Sequence, residues 1–278
     1  MKIIDICKAI ENILPQEGTI RNIIKGVDIF KITQSQECVK QCYEKGIIFI
    51  FQGKKEVLLE KTLLTYDCNN FLILSMPTPV ECRVYATTNE PILGVRIDAD
   101  HKIINEILTD CNISLKYSAE NKPGIYTESL NHQLIDALGR LITCLKDEQN
   151  CKILAPLYLK EILYFVLKSP HGYALSNVSY YNDTYYNISQ IADNIYLHYK
   201  EKYEVNTLAK QANMSISNFH NIFKEITGLP PIQYVKKSSS IKQGNYYFIA
   251  KLPLRLLLMK LAMKVYLNLI ENIKECLV

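Results

Sequence analysis

VNTLAKQANMSISNFHNIFKEITG, residues 205 to 228, is the stretch whose spacing decides how the C-terminal part of this chain is read. Leu208, Ala209 and Ala212 recur at helical spacing, Met214 sits in a short polar turn, and Ser215 or Ser217 is placed to cap a second helix. That second helix carries Phe219, Ile222 and Phe223 on its apolar face. Two helices joined in this way pack at a steep angle and push the start of the second outward, as a helix-turn-helix does to enter a major groove. Gly228 fits a helix C-cap, and Pro230 and Pro231 shape the turn into the connecting helix.

The charge distribution agrees with that reading. The chain of 278 residues has a formal net charge of only +4, yet residues 188 to 278 hold 12 Lys and Arg against 6 Asp and Glu. A basic C-terminal third on a near-neutral body is the pattern expected if only that third meets phosphates. The length predicts two domains, and 48% hydrophobic with 22% charged residues is the composition of an ordinary globular protein. No signal peptide or membrane span is expected, because Pro253, Arg255, Lys260 and Lys264 interrupt the most lipid-like run, Leu252 to Ile270. Nine irregularly spaced cysteines argue against a disulfide framework and for a reducing cytoplasm. Cys38 and Cys42 could form a redox or metal pair, but no second pair or nearby histidine completes a zinc site.

Upstream, residues 45 to 98 read as a run of short strands. GIIFIF, KEVLL, TLLTY, FLILS, VECRVYA and ILGVRID are each β-rich, and QGKK, DCNN, MPTP and TNEP are turns between them. Closely spaced strands of this kind predict a barrel or a small sandwich. From Asp100 the period changes, and residues 101 to 108, about 130 to 147, 156 to 168 and 188 to 201 read as helices. The Asn-, Ser- and Tyr-rich segment 176 to 187 reads as a linker.

In this order, the elements resemble AraC/XylS-type transcription regulators with a cupin-like N-terminal half. The resemblance runs from about Ile13 to Lys237 through LPQEG (14 to 18), FQGKKEVLL (51 to 59), YD (66 to 67), MPTPVE (76 to 81), EPILGVRID (90 to 98), APLYLKEILYFVL (155 to 167) and MSISNFHNIFKEITGLPPIQYVKK (214 to 237). It implies an α+β chain: a cupin-like β-barrel with a helical arm over 1 to 175 for effector binding and dimerisation, a linker over 176 to 187, and an all-α helix-turn-helix module over 188 to 237. Carried over by position, Ser217, His220 and Asn221 are the base-facing residues, and Ser215, Asn218 and Lys224 contact phosphates. Asn221 can pair bidentately with adenine, and His220 can donate to a purine acceptor. The partners implied are double-stranded DNA, an unidentified small effector, RNA polymerase and, through helix 156 to 168 with Leu157, Ile162, Leu163 and Phe165, a second copy of the chain. That helix could equally cover the barrel.

Related barrels include metal-dependent enzymes, whose histidines point inward from the strands. His101, His132, His171, His198 and His220 all lie outside the strand run, and no phosphate loop, nucleophile elbow or zinc-protease pattern occurs. A non-enzyme without cofactor or metal is therefore expected.

After Lys237 the family pattern stops. The long linker helix and second helix-turn-helix of these regulators have no counterpart in residues 238 to 278, where Gly244, Pro253 and clustered Ser and Tyr suit a linker helix poorly. Reading each codon's third base with the first two of the next, YLNLIENIKECLV (266 to 278) is permitted to become SQFNREYKRMFG, which is the missing family signature. Likewise residues 240 to 251 permit HQARQLLFHSK, which supplies the A-x-x-L-L element. The tail therefore reads as out of frame from about Ser238. Two functional readings remain: a sequence-specific DNA-binding regulator, or a truncated remnant whose barrel still binds effector and dimerises while DNA binding is impaired.

Overall fold

The computed structural model describes residues 1–59, 62–111, 124–176 and 184–250, with side chains described as far as Ile241. The chain divides into two compact units, Met1–Ser239 and Ser240–Val278. Of the second unit, only helix up to Ala250 falls among the described residues.

The first unit opens with helix α1 (Ile3–Ile13) and nine strands, β1 (Gly18–Ile24), β2 (Val27–Ile32), β3 (Gln36–Tyr43), β4 (Gly46–Gln52), β5 (Lys54–Leu59), β6 (Thr62–Tyr66), β7 (Asn70–Leu74), β8 (Thr78–Tyr85) and β9 (Ile92–Ile97). Next come α2 (His101–Asp110), β10 (Ile125–Ser129), α3 (His132–Cys144), α4 (Glu148–Leu167), α5 (Tyr173–Ser176), α6 (Thr184–Leu197), α7 (Val205–Gln211), α8 (Ile216–Thr227) and α9 (Pro231–Ala250). The strands form two antiparallel sheets, ordered β1-β2-β9-β4-β7-β10 and β3-β8-β5-β6. The chain is thus mixed α+β.

Burial explains the strand sequences. In β4 both faces are covered: Ile47, Phe49 and Phe51 pack with α1, α3 and α4, while Ile48 and Ile50 face the four-stranded sheet. A strand buried on both sides reads as the continuous apolar run GIIFIF. In β8 only one face is covered, so buried Val80, Cys82 and Val84 alternate with Glu81, Arg83 and Tyr85. Full burial of side chains such as Phe49 or Ile50 contributes about 1.5–3 kcal/mol each.

Four features differ from the sequence reading. The sheets take in β1 to β3 and β10, which lie outside the expected run of 45 to 98. Helix α4 begins at Glu148, not at 156; Asp147 caps it by accepting from the N–H groups of Gln149 and Asn150 at 3.0 and 3.1 Å, and Pro156 lies in its interior. Helix α6 begins at Thr184, inside the expected linker, because Tyr185, Ile188, Ile191, Ala192 and Ile195 form a continuous buried face. The linker's residues 177 to 183 lie outside the described residues. Finally, α9 runs to Ala250, through Gly244 and the Ser and Tyr residues expected to be poor helix formers. A single interior glycine costs only about 1 kcal/mol against alanine.

Candidate nucleic-acid interface

Helices α6, α7 and α8 share one apolar core, in which Ile188, Ile195, Leu208, Ala209, Phe219, Phe223 and Tyr234 are buried. Between α7 and α8 the chain turns through Asn213, whose φ of 57° lies in the left-handed region. The turn is a Schellman motif: the Met214 N–H donates to the Ala209 carbonyl at 2.9 Å and the Asn213 N–H to the Lys210 carbonyl at 3.0 Å. Asparagine is one of the few non-glycine residues that tolerate this conformation.

At the start of α8, Ser215 is the N-cap, and its hydroxyl accepts from the Asn218 N–H at 3.3 Å. The Ser215 O–H can still donate to an anion at the positive end of the helix. Ser217, His220, Asn221 and Lys224 are exposed at positions i, i+3, i+4 and i+7, so they line one stripe of α8. Phe219, Phe223 and Ile226 are buried on the opposite side, with Ile222 half-buried. Asn218 is exposed beside the stripe, so all six expected contact residues are accessible on one short helix and its cap. At the far end Gly228 adopts φ 75°, and a Cβ there would meet Leu59 of β5 at 3.1 Å.

That contact belongs to a seam between the helices and the sheets of the first unit. The Gly124 N–H donates to the Ile226 carbonyl at 3.0 Å, the Ser75 and Tyr185 hydroxyls meet at 2.6 Å, and the Tyr234 hydroxyl donates to the Pro77 carbonyl. Met76, between Ser75 and Pro77, is buried in the helical core. Farther along, the Tyr196 hydroxyl donates to Glu44 at 2.7 Å, and Lys45 reaches Asp193 at 3.3 Å. Burial acts against the Glu44 carboxylate, but the Tyr196 hydroxyl and the Arg96 guanidinium hold its pKa below the usual carboxylate value. Burial pushes Asp193 up despite Lys45, and pushes the Tyr185 and Tyr234 phenols up as well.

These seam residues escaped the sequence reading. Ser75 and Tyr185 are separated by 110 positions, and the MPTP segment, read as a turn and as part of a family signature, gave no sign of a contact with the helices. Asn213 was legible in principle, since a lone Asn before a Ser cap fits a left-handed helix terminus. Among the described residues no group of His, Cys, Asp and Glu is placed to hold a metal ion. The described cysteines, Cys38 and Cys42 included, are free of disulfides.

Residues 23–174 match the family model described as the AraC-type transcriptional regulator N-terminus. No curated protein matches the chain. Among solved structures, ToxT from Vibrio cholerae is similar at 13% identity, over 76% of this chain and 97% of that one, with a TM-score of 0.32. The AraC-like transcriptional activator CuxR aligns at 11% identity, over 78% of this chain and 77% of its own, with a TM-score of 0.31. Superpositions this loose define neither the fold nor the site.

Proposed function

Since this chain belongs to the AraC-type transcriptional regulators through residues 23–174, we propose that it binds DNA sequence-specifically and that α8 is its reading helix. The observation that carries this is the exposed stripe Ser217, His220, Asn221 and Lys224 on a helix whose opposite face is buried. Ser217, His220 and Asn221 in the first two turns reach base edges. Ser215, Asn218 and Lys224 contact phosphates. Residues 1 to 175, in a cupin-like barrel arrangement, bind the effector and dimerise, and residues 188 to 237 form the DNA-binding module. RNA polymerase is the further partner that the family implies, and the cytoplasm is the place of action. No helix among the described residues is long and apolar enough to cross a membrane.

A second reading, impaired DNA binding, is favoured by one observation: the family pattern stops at Lys237, beside the boundary between Ser239 and Ser240 that separates the two units. Each good bidentate base contact contributes ~1–3 kcal/mol of discrimination, so a missing second module removes a substantial share. Gel-shift assays on DNA upstream of neighbouring operons separate the two. Salt-sensitive binding that prefers one site over random competitor supports the regulator reading. Weak, sequence-blind binding supports the impaired one.

A further inference from the structure

Two thiols meet where the last turn of α3 adjoins the first turn of α4. Cys144 is the final residue of α3, Cys151 lies in the first turn of α4, and both belong to the core that these helices form with the larger sheet. The Cys144 Sγ stands 3.8 Å from the Cys151 Sγ and 3.0 Å from the Leu141 carbonyl. Backbone hydrogen bonds hold the connection between them: the Asp147 N–H donates to the Cys144 carbonyl at 3.1 Å, and the Cys151 N–H to the Asp147 carbonyl at 2.9 Å. A disulfide requires the sulfurs to approach by under about 2 Å more.

The two thiols are not equivalent. Cys151 lines a cavity of 410 Å³ together with Ile24, Lys25, Glu148, Lys152 and Leu159, whereas Cys144 is not part of its wall. The position of Cys151 in the first turn of α4 favours a negative charge, because the aligned peptide dipoles point their positive end there. Of the charged groups nearby, Lys152 pairs with Glu148 at 3.1 Å, and the Asp147 carboxylate is taken up by the Gln149 and Asn150 N–H groups. Burial and the adjoining Cys151 thiol push the pKa of Cys144 up to about 12, so Cys144 holds its proton near neutral pH.

We propose that this pair is an oxidative modification site: a small hydroperoxide entering the cavity oxidises Cys151, and Cys144 resolves the product to a disulfide that ties α3 to α4. In the first step the Cys151 thiolate attacks a peroxide oxygen, the O–O bond breaks, and the other oxygen leaves as water or an alcohol carrying the proton the thiol gave up. In the second, the Cys144 sulfur attacks the sulfur of the Cys151 sulfenic acid, the S–O bond breaks, and the hydroxide leaves as water with the Cys144 proton. The two electrons lost by the sulfurs are those that reduce the peroxide. A dithiol reverses the bond, as befits a disulfide that forms transiently in a reducing compartment.

The test treats the whole reduced chain with hydrogen peroxide, blocks the remaining thiols and maps the tryptic peptides. Cleavage after Lys146 puts Cys144 in peptide 141–146 and Cys151 in peptide 147–152. Expected is a cross-link between these two peptides that precedes oxidation of the exposed Cys38 and Cys111, that dithiothreitol removes, and that forms more slowly in the urea-unfolded chain. In Cys144→Ser, dimedone should trap a sulfenic acid on Cys151; in Cys151→Ser, its capture on Cys144 should be weaker by roughly tenfold or more. Oxidation of Cys38 or Cys111 without the cross-link, or a cross-link formed as fast in urea as in the folded chain, would overturn the proposal. Equal dimedone capture in the two variants would do the same to the assigned order. The wild-type measurements need no substitution, so they decide the matter even if a variant fails to fold.

Discussion

Ser75, just after β7, and Tyr185, in the first turn of α6, meet hydroxyl to hydroxyl at 2.6 Å although 110 positions separate them. Ser75 also hydrogen-bonds the Gly124 carbonyl, and the Gly124 N–H holds the Ile226 carbonyl near the end of α8. The end of the proposed reading helix is thus joined to Ser75 through two consecutive links, and a third joins Ser75 to α6. Tyr185→Phe should lower stability by about 1 kcal/mol, the net value of one buried hydrogen bond. It should also speed amide exchange in α6 and α8 more than in β4. Uniform exchange across the unit would contradict a local seam.

At the other end of the seam, Glu44 accepts from Tyr196 and pairs with Arg96 at 3.4 Å. Its folded pKa is depressed. The stability it contributes is therefore present above the ordinary carboxylate value of 4.5 and is lost as pH falls through the depressed one. Urea midpoints measured from pH 6 to pH 3 should fall less steeply in Glu44→Gln than in the parent. Asp193 is unchanged in both proteins, so its opposite shift cancels in the difference. Parallel acid limbs would refute the assignment.

The turn makes a separate prediction. With Asn213 at φ 57°, Asn213→Gly should be neutral or stabilising, whereas Asn213→Val should cost about 1–2 kcal/mol. Chemical denaturation of the three proteins checks the order, and Val equal to Gly would show that the turn is not held left-handed.

Much of this was legible in the sequence, for reasons that also explain what was not. β4 and β7 are apolar runs, and β8 and β9 end in Pro, Gly or charged turns, so their strand character is local. β1 and β3 hide because each has almost no fully buried residue and is irregular: Asn22 and Cys38 have φ of 48° and 54°, and register shifts lie beside both. The α4 start was misplaced because Pro156 resembles a first-turn proline. The burial of Lys55 in β5 was passed over because KEVLL reads as a strand whichever face its lysine takes, and only the packing of the second sheet puts it inside. The stripe on α8 was the easier case, since periodicity alone fixes which residues oppose Phe219 and Phe223.

The out-of-frame reading of the tail demands particular third bases in the gene: C in Leu267, A in Leu269, C in Ile270 and G in Glu271. Resequencing should show them, with an inserted or deleted base near codons 237 to 241. Restoring the frame should then raise DNA affinity by well over tenfold, a tenfold change being only ~1.4 kcal/mol. Other third bases would make the tail a genuine divergent C-terminus.

The central claim is that α8 reads DNA, and one set of titrations tests it most directly: affinities of Asn221→Ala, His220→Ala and Lys224→Ala for a specific site and for random DNA, each over a range of salt. Asn221→Ala and His220→Ala should weaken the specific site by ~1–3 kcal/mol and leave random DNA nearly unchanged. Lys224→Ala should weaken both alike and lower the salt slope by roughly one phosphate contact. Equal losses on both DNAs for all three variants, or no loss for any, would contradict the account.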